Sequence, residues 1–227
     1  MKSTILLLVV VFFTEIISAN SKPNFVWIIS EDNSIHYLDH FFPDGADTPN
    51  IKNMAANGVT FDNAFSNAPV CSVARSTLIT SCYAPRIGAQ YHRKSMMAPM
   101  PEGLKMFPSY LRDKGYYTTN RSKTDYNLKQ GKGVWDQSSR KAHWRNRKSG
   151  QPFFHKASYA ISHESSLHFK ESAIKDQPTV NKSQDVILAP YHPNTKTFRY
   201  TQARYLSLIH ISEPTRRYAI SYAVFCL

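Results

Sequence analysis

The run Cys71-Ser72-Val73-Ala74-Arg75-Ser76-Thr77-Leu78-Ile79-Thr80, preceded by Asn67-Ala68-Pro69-Val70, reads as a loop that feeds the first turn of a helix. Its thiol therefore stands at a helix N-terminus, where backbone N–H groups lack partners and the helix dipole is positive. Arg75, one turn on, falls on the same helix face as Cys71. A sulfur nucleophile, or a residue made from it, would share its site with a guanidinium suited to a tetrahedral oxyanion. The plainer alternative is a buried cysteine followed by a surface arginine.

Upstream, Asn24-Phe25-Val26-Trp27-Ile28-Ile29-Ser30 is a continuous apolar run, as expected of a central strand in an α/β sheet. It ends in Glu31-Asp32. Open α/β sheets place their sites at the carboxyl ends of strands, so these acids are candidate ligands for a hard cation that prefers oxygen. Thr48, Pro49 and Gly58 mark the cap, first position and stop of a short helix, and Val59-Thr60-Phe61 reads as a strand leading toward Cys71. Downstream, Phe107 to Lys114 reads as a helix closed by Gly115, and Tyr116 to Asn120 as a strand that ends before Lys123 and Asp125. Gln151 to Ile161 reads as a further buried strand, finishing at His163-Glu164. A long helix is expected from about Thr197 through Tyr205.

At 227 residues the chain can hold one ordinary domain with a real core. It carries 28 Lys and Arg against 16 Asp and Glu, a formal charge of +12, which suits polyanionic partners. Basic residues are densest from Arg121 to Lys148, with Trp135 and Trp144 among them, but no nucleic-acid-binding pattern accompanies them, so nucleic acid is not an expected partner. Met1-Lys2-Ser3-Thr4 followed by Ile5 to Phe13 reads as a secretory leader over residues 1–19, which predicts a secreted or periplasmic protein without stable membrane insertion. Three cysteines are present, Cys71, Cys82 and Cys226. Export would permit a Cys71–Cys82 disulfide, although helical residues between the two make the bridge awkward.

The stretch from Cys71 to Thr80 resembles the signature of the sulfatase family, with Val73 where the family prefers Pro or Ala and Ser81 where Gly usually follows. The segment from Thr48 to Phe65 and the loop Pro190-Tyr191-His192-Pro193-Asn194-Thr195 are also similar to sulfatase segments. The likeness covers roughly residues 24–205 and is nearest to the heparan N-sulfatase-like branch. It implies an α/β fold of the alkaline-phosphatase-like class, with a central, mostly parallel sheet flanked by helices, over residues 20–205.

That resemblance also implies a chemistry. Cys71 would be oxidised to formylglycine by a formylglycine-generating enzyme, and its hydrate would attack the sulfur of a sulfate ester. The second hydroxyl of the geminal diol then lets the aldehyde reform as sulfate leaves, so no water need attack sulfur. Glu31, Asp32 and position 71 would bind calcium, with Glu31 in place of the family's first Asp. Arg75 would hold the nucleophile and Lys123 a sulfate oxygen, while His163 would serve the leaving oxygen. Asp125 stands where the family has a histidine. The implied substrate is a sulfated glycan or another sulfate ester. A noncatalytic glycan-binding relative, and a phosphatase or phosphodiesterase of the same superfamily, remain as alternatives.

The family also needs a later Asp-Asn or Asp-His strand end and a further lysine, neither of which occurs before Tyr205. The chain is thus expected to be a truncated N-terminal part of a catalytic domain, with little turnover of its own. Residues 206–216 are similar to the direct translation of a transposase adapter used in short-read library preparation, and 220–227 to its flow-cell end. Residues 206–227 are therefore expected to be non-native.

Overall fold

The computed structural model describes residues 22–93, 96–212 and 224–226, those from 211 onward as backbone only. The expected leader, residues 1–19, lies outside the described residues. The apolar run after Pro23 forms strand β1, Phe25–Ser30. The other strands are β2, Tyr117–Arg121, β3, Gln137–Ser138, β4, Phe153–Tyr159, and β5, Val224–Cys226. They form one five-stranded sheet in the order β3-β2-β4-β1-β5, and every pairing is parallel. A strand in the middle of such a sheet is covered on both faces, which is why β1 is apolar without alternation. Ile28 has no exposed surface, and the Trp27 ring packs 5.6 Å from Phe107 and 6.2 Å from Phe154.

The helices are α1, Pro49–Ala56, α2, Cys71–Thr80, α3, Phe107–Asp113, the single turn α4, Ala173–Asp176, and α5, Lys196–Ser212. Thr48 precedes α1 as expected, but its hydroxyl turns away from the helix and donates to Asp39 Oδ1 at 2.6 Å. Helix α2 closes through Ser81 in the left-handed region at φ 57°, a conformation glycine would adopt more easily. Val73 and Ile79 of α2 pack with Ile87, Met106, Leu128 and Val134 in one apolar cluster. Leu38, Ile51, Ala203, Leu206 and Ile209 form another.

Two boundaries differ from the sequence-based expectation. Val59-Thr60-Phe61 is not a strand, and Val59 and Phe61 are 80% and 67% exposed. A strand needs a neighbour to complete its ladder, and among the described residues no strand lies beside this segment. Helix α5 does not end at Tyr205: it continues to Ser212 and buries Leu206 and Ile209.

His155, in the middle of β4, is fully buried with Nδ1 2.7 Å from the Thr119 hydroxyl. Burial first, then the nearby charges of His143 and Arg121, push its pKa down from 6.5 to about 4. Above pH 6.5 the imidazole is neutral in both folded and unfolded chains and costs nothing. As pH falls from about 6.5 to about 4 the unfolded chain takes up a proton that the folded chain refuses, so stability drops by about 3 kcal/mol. Urea denaturation at pH 7 and pH 4 should show this drop, and His155→Gln should remove most of it. An unchanged pH slope in that variant would assign the effect to another group.

Candidate active site

The carboxyl ends of β1 and β4 are laced together by the turns that follow them. Glu31 N donates to Tyr159 O at 3.0 Å, and the Ser162 hydroxyl donates to Glu31 O at 2.6 Å. Glu164 N donates to Asp32 Oδ2 at 2.8 Å, and the Tyr205 hydroxyl of α5 donates to Asp32 O. These bonds leave little freedom to the Glu31-Asp32 turn, whose Asp32 sits at φ 55°. Helix α2 brings its first residue, Cys71, to the same place. One ligand atom each from Glu31, Asp32, Cys71 and His163 lie within 4.8 Å of one another. That spacing matches the ligand shell of a single cation. His163 Nε2 stands 4.0 Å from Asp32 Oδ2, and its Nδ1 meets the Ser165 hydroxyl at 2.9 Å.

Glu31 is buried, and two cations hold it. Arg75 Nη2 donates to Oε1, and Lys123 Nζ donates to Oε2 at 2.8 Å. Arg75 also donates to Lys123 O at 3.2 Å and to the Ser158 hydroxyl at 3.3 Å. The guanidinium is thus almost wholly enclosed, while the Lys123 side chain keeps 21% of its surface open to solvent. An enclosed charge at this depth is tolerable only with its partners in place.

All six residues singled out from the sequence, Glu31, Asp32, Cys71, Arg75, Lys123 and His163, meet in this region through the contacts above. The alternative of a Cys71–Cys82 disulfide fails, because both thiols are free. Cys71 begins a helix of ten residues, about 15 Å long, and Cys82 lies just past its other end, which exceeds the reach of a disulfide.

Two basic residues had no sequence signal pointing to the site. Lys156 of β4 is buried and donates to Asn120 Oδ1 at 2.9 Å and to Lys123 O at 2.7 Å, so it steadies the backbone that presents Lys123. Burial first, then the charges of Arg75 and Lys123 against that of Glu31, hold its pKa well below the ordinary lysine value. Arg93 forms a two-bond ion pair with Asp125, Nε to Oδ1 at 3.1 Å and Nη2 to Oδ2 at 3.0 Å. Asp125 Oδ2 also lies 3.7 Å from Lys123 Nζ. Burial pushes Asp125 upward, but Arg93 foremost, with Lys123 and Arg75, outweighs it and holds the carboxyl below its usual range.

The acidic cluster supplies the donors a cation needs, and the excess of cations around it suits an anionic group beside that point. Among the described residues no helix is long and apolar enough to cross a membrane.

At 13% identity, the structure of a 2-O GAG sulfatase superposes with TM-score 0.59 over 85% of this chain and 52% of its own. The putative sulfatase from Bacteroides fragilis does so with TM-score 0.57 at 15% identity, covering 86% of this chain and 57% of its own. A third structure, solved in complex with its substrate D-glucosamine-2-N,6-O-disulfate, matches with TM-score 0.50 at 13% identity over 83% of this chain and 52% of its own. The fold is accordingly that of the alkaline-phosphatase-like sulfatases. Among curated proteins, an ulvan-active sulfatase of Formosa agariphila is 36% identical over 156 residues, 64% of this chain and 26% of the relative. N-acetylgalactosamine-6-sulfatase of Homo sapiens is 28% identical over 107 residues, 43% of this chain and 20% of the relative. The chain thus spans about half of the matched structures and about a quarter or a fifth of these curated relatives. With the sulfatase family model matching residues 23–201, the chain belongs to the sulfatase family.

Proposed function

We propose that the complete protein to which this chain belongs hydrolyses sulfate esters of a glycan, using formylglycine made from Cys71 and a calcium ion. The supporting observation is the convergence of Glu31, Asp32, Cys71 and His163 within 4.8 Å, at the start of a helix and beside two cations. The donor set fits the ion: two carboxylates suit a hard cation, and position 71 supplies its soft sulfur only until that sulfur is replaced by oxygen. Bound calcium and formylglycine would supply positive charge and a hydroxyl nucleophile that needs no water at sulfur.

The chain's own residues do the rest. Glu31 and Asp32 hold the cation, and Arg75 fixes Glu31 so that its carboxylate cannot swing away. Lys123, the more open of the two cations on Glu31, offers an ammonium to a sulfate oxygen. His163, at the end of β4, donates a proton to the departing oxygen. The N-terminal N–H groups of α2 add fixed positive potential at position 71. The leader over residues 1–19 would export the protein, and a formylglycine-generating enzyme would act on Cys71 during maturation. In this reading residues 20–205 are the native part of a catalytic domain and 206–227 are non-native, which the codons of the encoding nucleotides test directly.

A free thiol at position 71 with no role in turnover would favour a noncatalytic glycan-binding protein instead. Mass spectrometry of the peptide containing Cys71 separates the two readings. Conversion makes it lighter by the mass of H₂S less one oxygen, and an unmodified cysteine in an active preparation would overturn the mechanism. A chelator should reduce sulfate release by the complete protein at least roughly tenfold, with calcium restoring it and magnesium, which prefers a smaller octahedral shell, restoring less. Calcium should also raise the thermal midpoint, as any ligand selective for the folded state does. Full activity in excess chelator, with no calcium-dependent shift in melting, would remove the metal from the proposal.

A further inference from the structure

We propose that Arg93, braced by Asp125, is a specificity-determining residue that reads a second acidic group, sulfate or carboxylate, beside the sulfate to be cleaved. The inference rests on the sulfatase reading of the site and adds a substrate class to it: a glycan bearing at least two neighbouring negative charges.

Arg93 is held first by its backbone. Its backbone N–H faces the Ser72 hydroxyl at 3.3 Å and Asn127 Oδ1 at 3.2 Å. Ser72 follows Cys71 in the first turn of α2. Asn127 is buried, receives the second turn of the same helix through its N–H to the Ser76 hydroxyl at 2.9 Å, and donates from Nδ2 to Ala89 O at 2.9 Å. The segment carrying Arg93 is therefore fastened to the helix that carries the nucleophile. Both members of the Arg93–Asp125 pair adopt positive φ, 43° and 51°, which non-glycine residues rarely do. Such backbone is kept only where the surroundings over-determine it, and it clusters at binding sites.

The side chain is placed to act outward. Asp125 engages Nε and Nη2, which fixes the guanidinium plane and leaves Nη1 unengaged by that carboxylate. The Arg93 side chain is 55% exposed, whereas that of Asp125 is 15% exposed. The pair thus shows its cationic side to solvent. Asp125 also faces Lys123, so one carboxylate serves two cations and the rim keeps a net positive charge. The hydrogen bonds and then the charge of Asp125 outweigh the opposing effect of burial and raise the Arg93 pKa, so the guanidinium keeps its charge. A solvated surface ion pair would contribute little and would have no reason to be tied to α2. A sulfate held by Lys123 would leave Arg93 beside the next charged position of the same sugar or of its neighbour.

The test is calorimetric titration of the complete protein, in the turnover-deficient Cys71→Ala background and in calcium-containing buffer, with glucosamine 6-sulfate, with D-glucosamine-2-N,6-O-disulfate, and with a monosulfated disaccharide containing a uronate. The disulfate should bind roughly tenfold more tightly than the monosulfate. Arg93→Gln should reduce that ratio at least roughly fivefold, and Asp125→Asn, which frees the guanidinium from its brace, should reduce it in part. The uronate arm tells whether a carboxylate is read as well as a sulfate. Circular dichroism melting checks each variant, and Arg93→Lys, which keeps charge but loses the fork, carries the test if Arg93→Gln does not fold. A protein with Arg93 and Asp125 intact that shows no preference, or a preference untouched in both variants, overturns the inference while leaving the sulfatase reading in place. Failure of the same protein to bind the monosulfate overturns both.

Discussion

Replacing Cys71 with alanine is expected to lower sulfate release by the complete protein by a factor on the order of 10⁴ to 10⁶, the scale seen when an essential nucleophile is removed. The expectation follows from placement. Cys71 is the first residue of α2, so its side chain meets the positive end of the helix and lies among Glu31, Asp32 and His163. Alanine retains the helix start and the carboxylates but offers neither a sulfur for conversion nor an oxygen. Substrate affinity should change far less than turnover, because Lys123 and its neighbours remain. Cys71→Ser is the informative companion: it supplies a hydroxyl at the same point but no second hydroxyl for release. A Cys71→Ala protein that kept more than about one-hundredth of wild-type turnover would exclude position 71 as the nucleophile.

Arg75→Ala is expected to destabilise the chain by about 3–5 kcal/mol, the usual cost of leaving a buried carboxylate without a partner. Glu31 is 4% exposed and takes both its strong contacts from Arg75 and Lys123. Lys123 would still neutralise one oxygen, so the loss should fall toward the lower end of that range. Truncation would also release Lys123 O and the Ser158 hydroxyl from the guanidinium. The double variant Glu31→Gln with Arg75→Met should recover much of the loss, since removing both charges removes the desolvation problem. Urea denaturation measures all three proteins; a single-variant loss below about 1 kcal/mol would mean that the pair is effectively solvated.

Much of the site was legible in advance because its residues stand at strand ends and a helix start. An apolar run followed by acids, as in β1 and Glu31-Asp32, points to a sheet edge where chains open toward a ligand. The Cys71 run carried a helix start and an arginine one turn on, and Lys123 and His163 follow the next two strand-like runs of any length. Lys156 and Arg93 were not legible. A lysine in a strand and an arginine in a loop look like solvated charges until a fold brings Lys123 O or Asp125 to them. The failed expectation at Val59 to Phe61 has the same root, since a strand exists only through a neighbour that local composition does not supply.

Local sequence determined the elements and their chemistry: the apolar period of β1, the helix boundaries at Pro49, Cys71 and Phe107, and the residue types offered at each strand end. Only the tertiary structure decided that β4 inserts between β1 and β2, which puts His163 beside Asp32 and Lys156 beneath Lys123. It also decided that the phase of α5 carries past Tyr205, burying Leu206 and Ile209 against Leu38 and Ile51. The division has a physical reason. Propensity and periodicity act over a few residues, whereas strand order, ion-pair partners and burial are set by contacts between segments tens of residues to more than a hundred residues apart.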